Sequence, residues 1–295
     1  SMALPEPLTT YLELRESTAD GDEGAGLSHK AGGLFLLHVL EIAAYGEPRG
    51  GVTIVHDAGD HGARYLEAAH VFAAERWAVA LPDMRGHGRS EGPRGHSAGL
   101  KEVVRDLASV QEHLAYRLPV APKALIGQGL GALYAARFAL ERPGEVAALV
   151  LLAPRWRASF APPKPAGGLL KLFKKPDPTA AGALGLAPEA LSRDAAQCAA
   201  WSADKLVHDA ISARAAQQAS EVAQDVERRI ALLPCPTLLV HGADDRVSDP
   251  QISRGLRGPN LEVRVVDGAR HDLLHESNWR ATAAELAAWL QSKLA

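Results

Sequence analysis

The stretch KALIGQGLGALYAARFA, residues 123–139, decides the fold. It consists of an apolar run, a turn dense in glycine and an alanine-rich segment whose apolar residues have helical spacing. This order predicts a buried strand, a tight turn and a helix. The turn, GQGLGA at residues 127–132, therefore lies between a strand and a helix, where both nucleotide-binding loops and catalytic turns occur.

Two interpretations fit this turn. It matches G-x-G-x-x-[GA], a dinucleotide-binding pattern, and it matches G-x-S-x-G, the nucleophile turn of serine hydrolases, with Gly129 at the serine position. A dinucleotide site belongs after the first strand and needs an acidic residue at the end of the next one. Here several strands precede the turn, and the next strand ends LVLLAPRW without a carboxylate. The context excludes the nucleotide interpretation.

The rest of the chain repeats the alternation of strand and helix. Continuous apolar runs predict strands that are buried on both faces, and amphipathic segments predict helices between them. The predicted strands are 34–44, 52–58, 77–83, 123–127, 146–154, 236–242 and 261–268, and the predicted helices are 63–76, 99–117, 131–142, 250–257 and 278–294. This alternation indicates an α/β fold with a mostly parallel central sheet flanked by helices.

Composition divides the chain into four parts. Residues 1–30 predict an N-terminal arm or first strand, 31–154 and 231–295 the two parts of the α/β core, and 155–230 a helical lid inserted between two strands. Within the lid, LLKLFKK at 169–175 combines apolar and basic residues. It predicts either a segment covering a pocket or a peripheral contact with lipid.

Length, charge and cysteine content limit the function. The 295 residues suffice for one large domain, and the net charge of −3 does not favour a nucleic-acid partner. Cys198 and Cys235 fit no disulfide or metal spacing, so we expect no metal and a reducing, cytoplasmic location. No signal peptide or membrane-length apolar run is visible. Nothing predicts a cofactor, and the oligomeric state stays open.

Three further segments support the hydrolase interpretation. HGADDRV at 241–247 follows an apolar strand, which places an aspartate at the carboxyl end of the sheet. GARHDLLHE at 268–276 follows the last strand and places a histidine before the C-terminal helix. PDMRGHGRSEGPRG at 82–95 is a glycine-rich loop after an earlier strand. Aspartate followed by histidine is the chain order of α/β-hydrolase triads.

With these motifs the chain resembles the monoacylglycerol lipase and lysophospholipase branch of the α/β-hydrolase superfamily, the serine aminopeptidase S33 group. Further matching pieces are VHDAGDHGARY at 55–65 and LAPEALSRDAAQCAAWSADKLVH at 186–208. All of them occur in family order over about residues 30–294. The resemblance implies an α/β-hydrolase fold and hydrolysis of carboxylic esters that bear an acyl chain.

Transferred to this sequence, the resemblance implies a site of five residues, to which Asp57, discussed below, adds a sixth. Asp245 becomes the triad acid and His271 the general base, which the acid orients. The oxyanion donors become the backbone N–H groups of Ala58 and Leu130. The position of the nucleophile falls on Gly129, which has no hydroxyl and cannot form an acyl-enzyme.

A second departure from the family lies in the first loop. The family pattern H-G-x-G stands here as HDAG, residues 56–59, so that Asp57 replaces a glycine. Its negative charge lies beside the place where an oxyanion develops, which is electrostatically unfavourable for acyl transfer. We therefore predict very low or no ordinary esterase activity.

Several interpretations stay open at this point. The chain is a non-catalytic binding or regulatory pseudoenzyme that holds a small apolar or acyl-chain ligand, a non-hydrolytic enzyme that uses the His271–Asp245 dyad as a base, or an engineered inactive variant. Asp245 and His271 could equally form a buried pair that only ties two loops together.

Overall fold

An eight-stranded sheet forms the centre of the computed structural model, which describes residues 4–15, 34–157 and 177–295. Its strand order is β1-β2-β4-β3-β5-β6-β9-β10. The strands are β1 (Leu8–Arg15), β2 (Leu34–Ile42), β3 (Gly50–Val55), β4 (Trp77–Pro82), β5 (Lys123–Gln128), β6 (Ala148–Leu152), β9 (Thr237–Gly242) and β10 (Leu261–Val266). Two short strands, β7 (Ala181–Ala183) and β8 (Ala210–Ser212), pair outside this sheet.

The sheet is mostly parallel, as the sequence predicts. β1 pairs antiparallel with β2, and β2 pairs antiparallel with β4. From β4 through β3, β5, β6 and β9 to β10 every neighbouring pair is parallel. The carboxyl ends of these strands share one edge, so that loops far apart in sequence meet there. The central strands are buried along their whole length because helices cover both faces.

Helices form a layer on each face of the sheet. One face packs against α1 and α8, and the other packs against α2, α3 and α6. The helices are α1 (Leu66–Ala74), α2 (Leu100–Arg117), α3 (Leu130–Glu141), α4 (Pro188–Leu191), α5 (Ala195–Ala203), α6 (Ala213–Arg229), α7 (Pro250–Gly255) and α8 (Trp279–Leu294). These bounds lie close to the five predicted helices.

The segment between β6 and β9 interrupts the alternation. Its described part, residues 177–232, contains α4, α5, α6 and the β7–β8 pair, and is called the inserted segment below. The predicted helical lid, residues 155–230, is thus described at 155–157 and from residue 177, and the lipid-contact prediction for LLKLFKK lies outside the described residues. Within the described ranges, no helix is long and apolar enough to cross a membrane.

The turn between β5 and α3 depends on two glycines that allow close packing of the backbone. A Cβ on Gly127 would overlap the backbone of Gly131 and Ala132, and a Cβ on Gly131 would overlap the backbone oxygens of Val55 and His56. Both overlaps fall below 3.0 Å, a separation that real side chains do not reach. The two glycines therefore allow α3 to begin directly against β3 and β5.

We expect Gly131→Ala to lower the free energy of unfolding by about 1–3 kcal/mol, since the new methyl group must displace backbone. Gly99→Ala is the matched control, because a Cβ there meets no atom within 4 Å. Urea unfolding followed by circular dichroism measures both. Equal stability of the two variants would show that the strand and the helix can move apart without cost.

Candidate active site

Gly129 lies at the sharp turn where β5 ends and α3 begins. Its backbone has φ +60° and ψ −115°, a conformation that costs little for glycine and strains residues with a side chain. This is the geometry of a nucleophile elbow. The space that a side chain would fill is occupied, since a Cβ on Gly129 would overlap the carboxyl carbon and both carboxylate oxygens of Asp57.

The Asp57 carboxylate fills the oxyanion site. Its Oδ1 accepts hydrogen bonds from the backbone N–H groups of Ala58 at 2.7 Å and Leu130 at 2.9 Å. These are the two donors that the sequence assigns to an oxyanion. Leu130 opens α3, and the positive end of a helix dipole favours an anion at this place. The Asp57 carboxylate thus lies where the oxyanion of a reaction intermediate would develop its negative charge.

Two cations hold this carboxylate in place. The Arg155 Nε–H group donates to Asp57 Oδ1 at 2.9 Å and to Oδ2 at 3.2 Å. The ring Nε2 of His271 lies 2.8 Å from Asp57 Oδ2. That nitrogen is the one that would bond to the serine hydroxyl in a working triad. Asp57 therefore replaces both the nucleophile and the oxyanion as the partner of the surrounding groups.

On its other side His271 contacts the predicted triad acid. Its Nδ1 lies 2.7 Å from Asp245 Oδ2, and the same oxygen lies 2.9 Å from Nε2 of His241. Asp245 Oδ1 accepts the backbone N–H groups of Val247 at 2.7 Å and Ser248 at 2.9 Å. Both carboxylate oxygens of Asp245 are thus fully engaged, and its position is fixed.

These contacts shift the pKa values of all three ionisable partners. Burial disfavours the His271 cation, but the charge of Asp245 and its hydrogen bond, followed by the contact with Asp57, outweigh burial and raise the pKa of His271 to about 10. Burial also opposes ionisation of Asp57, yet the charge of Arg155 and the hydrogen bond from His271 hold its pKa far below the usual range. The charge of His271 together with the hydrogen bond from His241 likewise lowers the pKa of Asp245, against burial.

The four side chains therefore balance their charges. At neutral pH Asp57 and Asp245 are anions and His271 and Arg155 are cations, all of them buried. An imidazolium that donates on both sides has no lone pair to accept a proton. In this arrangement both ring nitrogens of His271 face carboxylates, and Gly129 offers no hydroxyl group at the position of the nucleophile.

A small cavity lies beside Asp57, between the core loops, α2, α3 and the inserted segment. Its volume is about 30 Å³, room for about two water molecules. The apolar part of its wall comes from Met84, Val103, Leu130 and Ile211. In this conformation the cavity is too small for an acyl chain.

The structure brings all six sequence-predicted site residues together. Gly129, Asp57, Ala58, Leu130, Asp245 and His271 form one contiguous cluster at the carboxyl edge of the sheet. Sequence reasoning missed two members. Arg155 could have been noticed as a cation directly after the apolar strand β6, and His241 as the first residue of the HGADDRV motif. The Nδ1 of His241 lies 2.7 Å from Ser253 Oγ, and this contact orients the imidazole towards Asp245.

The described residues contain no cluster of histidine, cysteine and carboxylate side chains that could hold a metal ion. Cys198 and Cys235 are free thiols.

The sheet order, the elbow and the positions of Asp245 and His271 define an α/β-hydrolase fold. Solved structures agree: a monoacylglycerol lipase from Paleococcus ferrophilus has a TM-score of 0.73 at 24% identity over 87% of this chain and 99% of its own. A soluble variant of monoglyceride lipase from Saccharomyces cerevisiae has a TM-score of 0.77 at 17% identity over 99% of this chain and 96% of its own.

The family follows from the sequence match. The family described as serine aminopeptidase, S33, matches residues 46–278, and the chain belongs to it. Among curated relatives, a monoacylglycerol lipase of Mycolicibacterium smegmatis is 30% identical over 84% of this chain and 90% of its own length. The human monoglyceride lipase is 28% identical over 85% of each chain. The chain is thus a monoglyceride lipase-like α/β-hydrolase.

His271 should stay protonated through neutral pH in the intact protein. NMR titration of its imidazole tests this, and we expect Asp57→Asn to lower its pKa clearly because one of its two anionic partners is removed. Other imidazole signals, such as that of His70 on α1, serve as internal references. A His271 that titrates near 6.5 in the unchanged protein would contradict the charge balance described above.

The same contact predicts a pH-dependent difference in stability between the protein and Asp57→Asn. A raised histidine pKa stabilises the folded state fully below the unfolded value of about 6.5, and the contribution is lost as pH rises through about 10. Urea unfolding at several pH values should therefore show the two proteins converging in stability at alkaline pH. A constant difference would assign the effect of Asp57 to other contacts.

Proposed function

We propose that this chain is a monoacylglycerol lipase-like protein that has lost acyl-ester hydrolysis and acts by binding a small apolar or acyl-chain ligand. One observation carries the proposed loss of hydrolysis. The Asp57 carboxylate stands in the place of the serine side chain and accepts both oxyanion donors. A carboxylic ester cannot reach those donors while Asp57 holds them.

The negative charge of Asp57 supports the loss of ester hydrolysis as strongly as the space that its carboxylate occupies. An oxyanion that developed beside Asp57 would meet a like charge in a buried site, where such repulsion is strong. Attack by the carboxylate on an ester would form an anhydride, a product less stable than the ester itself. Acyl transfer is therefore disfavoured even if a substrate enters the cavity.

The alternative of a non-hydrolytic enzyme that uses the His271–Asp245 dyad as a base has less support. A base must be unprotonated at the working pH, and both ring nitrogens of His271 already face carboxylates at 2.7 and 2.8 Å. The same contacts favour the interpretation of the dyad as part of a structural ion network.

The alternative of an engineered inactive variant also has less support. Replacement of a serine alone would leave the first loop with its glycine and would supply no partner for a new carboxylate. Here Asp57 is paired with Arg155, which comes from the loop after β6. Asp57, Gly129 and Arg155 come from three different loops and fit one another, and this fit favours natural divergence.

A set of variants tests the proposal on short- and medium-chain p-nitrophenyl esters and on a monoacylglycerol. The unchanged protein should show no turnover above the blank. Gly129→Ser alone should stay inactive and lose stability, since its Cβ overlaps the Asp57 carboxylate. Asp57→Gly combined with Gly129→Ser, with or without Arg155→Ala to remove the cation that pairs with Asp57, should recover at least an acylation burst, the expected kinetic signature of the restored serine.

Asp57→Gly alone is the matched control, since it opens the oxyanion site without supplying a nucleophile. Its activity should stay at the blank level. Ester turnover by the unchanged protein, abolished by His271→Ala, would overturn the proposed loss of activity.

Ligand binding is tested separately with monooctanoylglycerol as the probe, followed by isothermal titration calorimetry. Ile211 lines the cavity and is buried, so that Ile211→Trp should fill the space and weaken binding at least tenfold. Val120→Trp is the control, because Val120 is 95% exposed and lies outside the cavity. Absence of binding, or equal binding by both variants, would contradict the proposal of an acyl-chain ligand at this cavity.

A further inference from the structure

One junction between the inserted segment and the core loops lies at residues 204–212. The backbone N–H of His208 donates to the carbonyl of Gly59 at 3.0 Å, and that of Ser212 donates to the carbonyl of Gly95 at 2.9 Å. The Nε2 of His61 lies 2.7 Å from Asp204 Oδ2. Residues 204–212 thus hold the inserted segment against the wall of the cavity, to which Ala210 and Ile211 contribute directly.

Three imidazole rings pack against one another in tilted orientations at the centre of this junction, and they are called the stack below. His56 follows β3, His87 lies in the glycine-rich loop after β4, and His208 belongs to the inserted segment. The ring centroids of His56 and His87 are 4.9 Å apart, and those of His87 and His208 are also 4.9 Å apart. Each ring thus comes from a different part of the chain, and the middle one touches both others.

Backbone groups fix the protons of the two outer rings. His56 Nε2 accepts the N–H of Met84 at 2.9 Å, so its Nδ1–H donates to the carbonyl of Asp57 at 2.7 Å. His208 Nδ1 accepts the N–H of Ala210 at 3.2 Å, so its Nε2–H donates to the carbonyl of Gly86 at 3.2 Å. A second proton on either ring would face an N–H group and break that bond.

The middle ring differs in one respect. His87 Nδ1–H donates to the carbonyl of Arg85 at 2.9 Å, and its Nε2 is buried with no hydrogen-bond partner among the described residues. Nε2 is therefore the one nitrogen of the stack that can take a proton without losing a hydrogen bond. The resulting cation would stand between two other imidazoles with no acceptor for the new N–H.

The charged groups around His87 do not offer that acceptor. Burial together with His56, His208 and Arg94 lowers the pKa of His87 well below its usual value, and burial lowers that of His208 as well. The nearby carboxylates have other partners, with Asp83 bonded to His38, Asp106 and Glu102 to Arg85, and Asp57 to Arg155 and His271. The remaining polar groups on the cavity wall include His96 and Tyr134, whose oxygen accepts a hydrogen bond from Gln218.

We propose that the stack of His56, His87 and His208 holds residues 204–212 against the core in an acid-sensitive manner. Its protonation releases these residues from the core and opens the cavity beside Asp57. The direction follows from proton binding. A histidine whose pKa is lowered in the closed state binds more protons when the junction is open, so acid favours opening. The stack stabilises the closed junction fully above about pH 6.5, and this stabilisation decreases as the pH falls below that value.

One contact in the junction lies outside the stack. His61 Nε2 lies 2.7 Å from Asp204 Oδ2, and the hydrogen bond from His61 lowers the pKa of Asp204 against burial. This contact persists until Asp204 itself is protonated. We therefore expect residues 208–212 to separate first, with residue 204 still attached.

Hydrogen–deuterium exchange of the whole chain, corrected for the intrinsic pH dependence of exchange, tests the proposal between about pH 7.5 and pH 5, the interval in which histidines titrate. The amides of His208 and Ser212 should exchange at least about tenfold faster at the lower pH, a shift of about 1.4 kcal/mol in the opening equilibrium. The amides of β5 and α3 should change little, which separates local opening from general unfolding.

Variants identify the stack as the cause. His87→Phe keeps an aromatic ring that cannot be protonated, and it should remove most of the acid response. His208→Phe gives a second, independent test if His87→Phe folds poorly. His70→Gln on α1 is the matched control and should keep the response. Acid-independent exchange, an unchanged response in both phenylalanine variants, or equal exposure of β5 would overturn the proposal.

Discussion

A single buried carboxylate organises the site. Asp57 accepts two backbone N–H groups at the start of α3 and after β3, and it lies between the cations Arg155 and His271. A buried anion is costly unless hydrogen bonds and opposite charges compensate it, and here both do. Removal of Asp57 would leave Arg155 and the two N–H groups without this partner, so the surrounding loops depend on it.

The same carboxylate explains why the elbow tolerates glycine. An elbow normally forces a residue with a side chain into a left-handed conformation, which stores strain for a functional purpose. Gly129 adopts φ +60° without that cost, and the space beside it belongs to Asp57. The two residues are mutually dependent, since a serine at position 129 and an aspartate at position 57 would occupy the same volume. The family fold is thus retained while its reaction site is filled from within.

Much of the fold could be predicted because its signals are local. Continuous apolar runs gave the parallel strands, helical periodicity gave α2, α3 and α8, and the glycines around the elbow indicated close packing of strand and helix. The six proposed site residues could be named because the family motifs fix their order along the chain. Arg155 escaped because its partner Asp57 lies 98 residues away in sequence. His241 was visible in its motif, but its contact with Asp245 Oδ2 appears only in the folded chain.

What the sequence by itself determined is the parallel α/β architecture, membership of the hydrolase pattern and the absence of a hydroxyl at residue 129. Only the tertiary structure decided what fills that position. Whether the Asp57 side chain points away from the elbow or into it depends on the meeting of the loops after β3, β5 and β6 at one edge of the sheet. Two N–H donors and two cations converge there, and this convergence makes a buried carboxylate stable. The sequence showed a missing nucleophile, and the three-dimensional arrangement showed that an internal anion has taken its place.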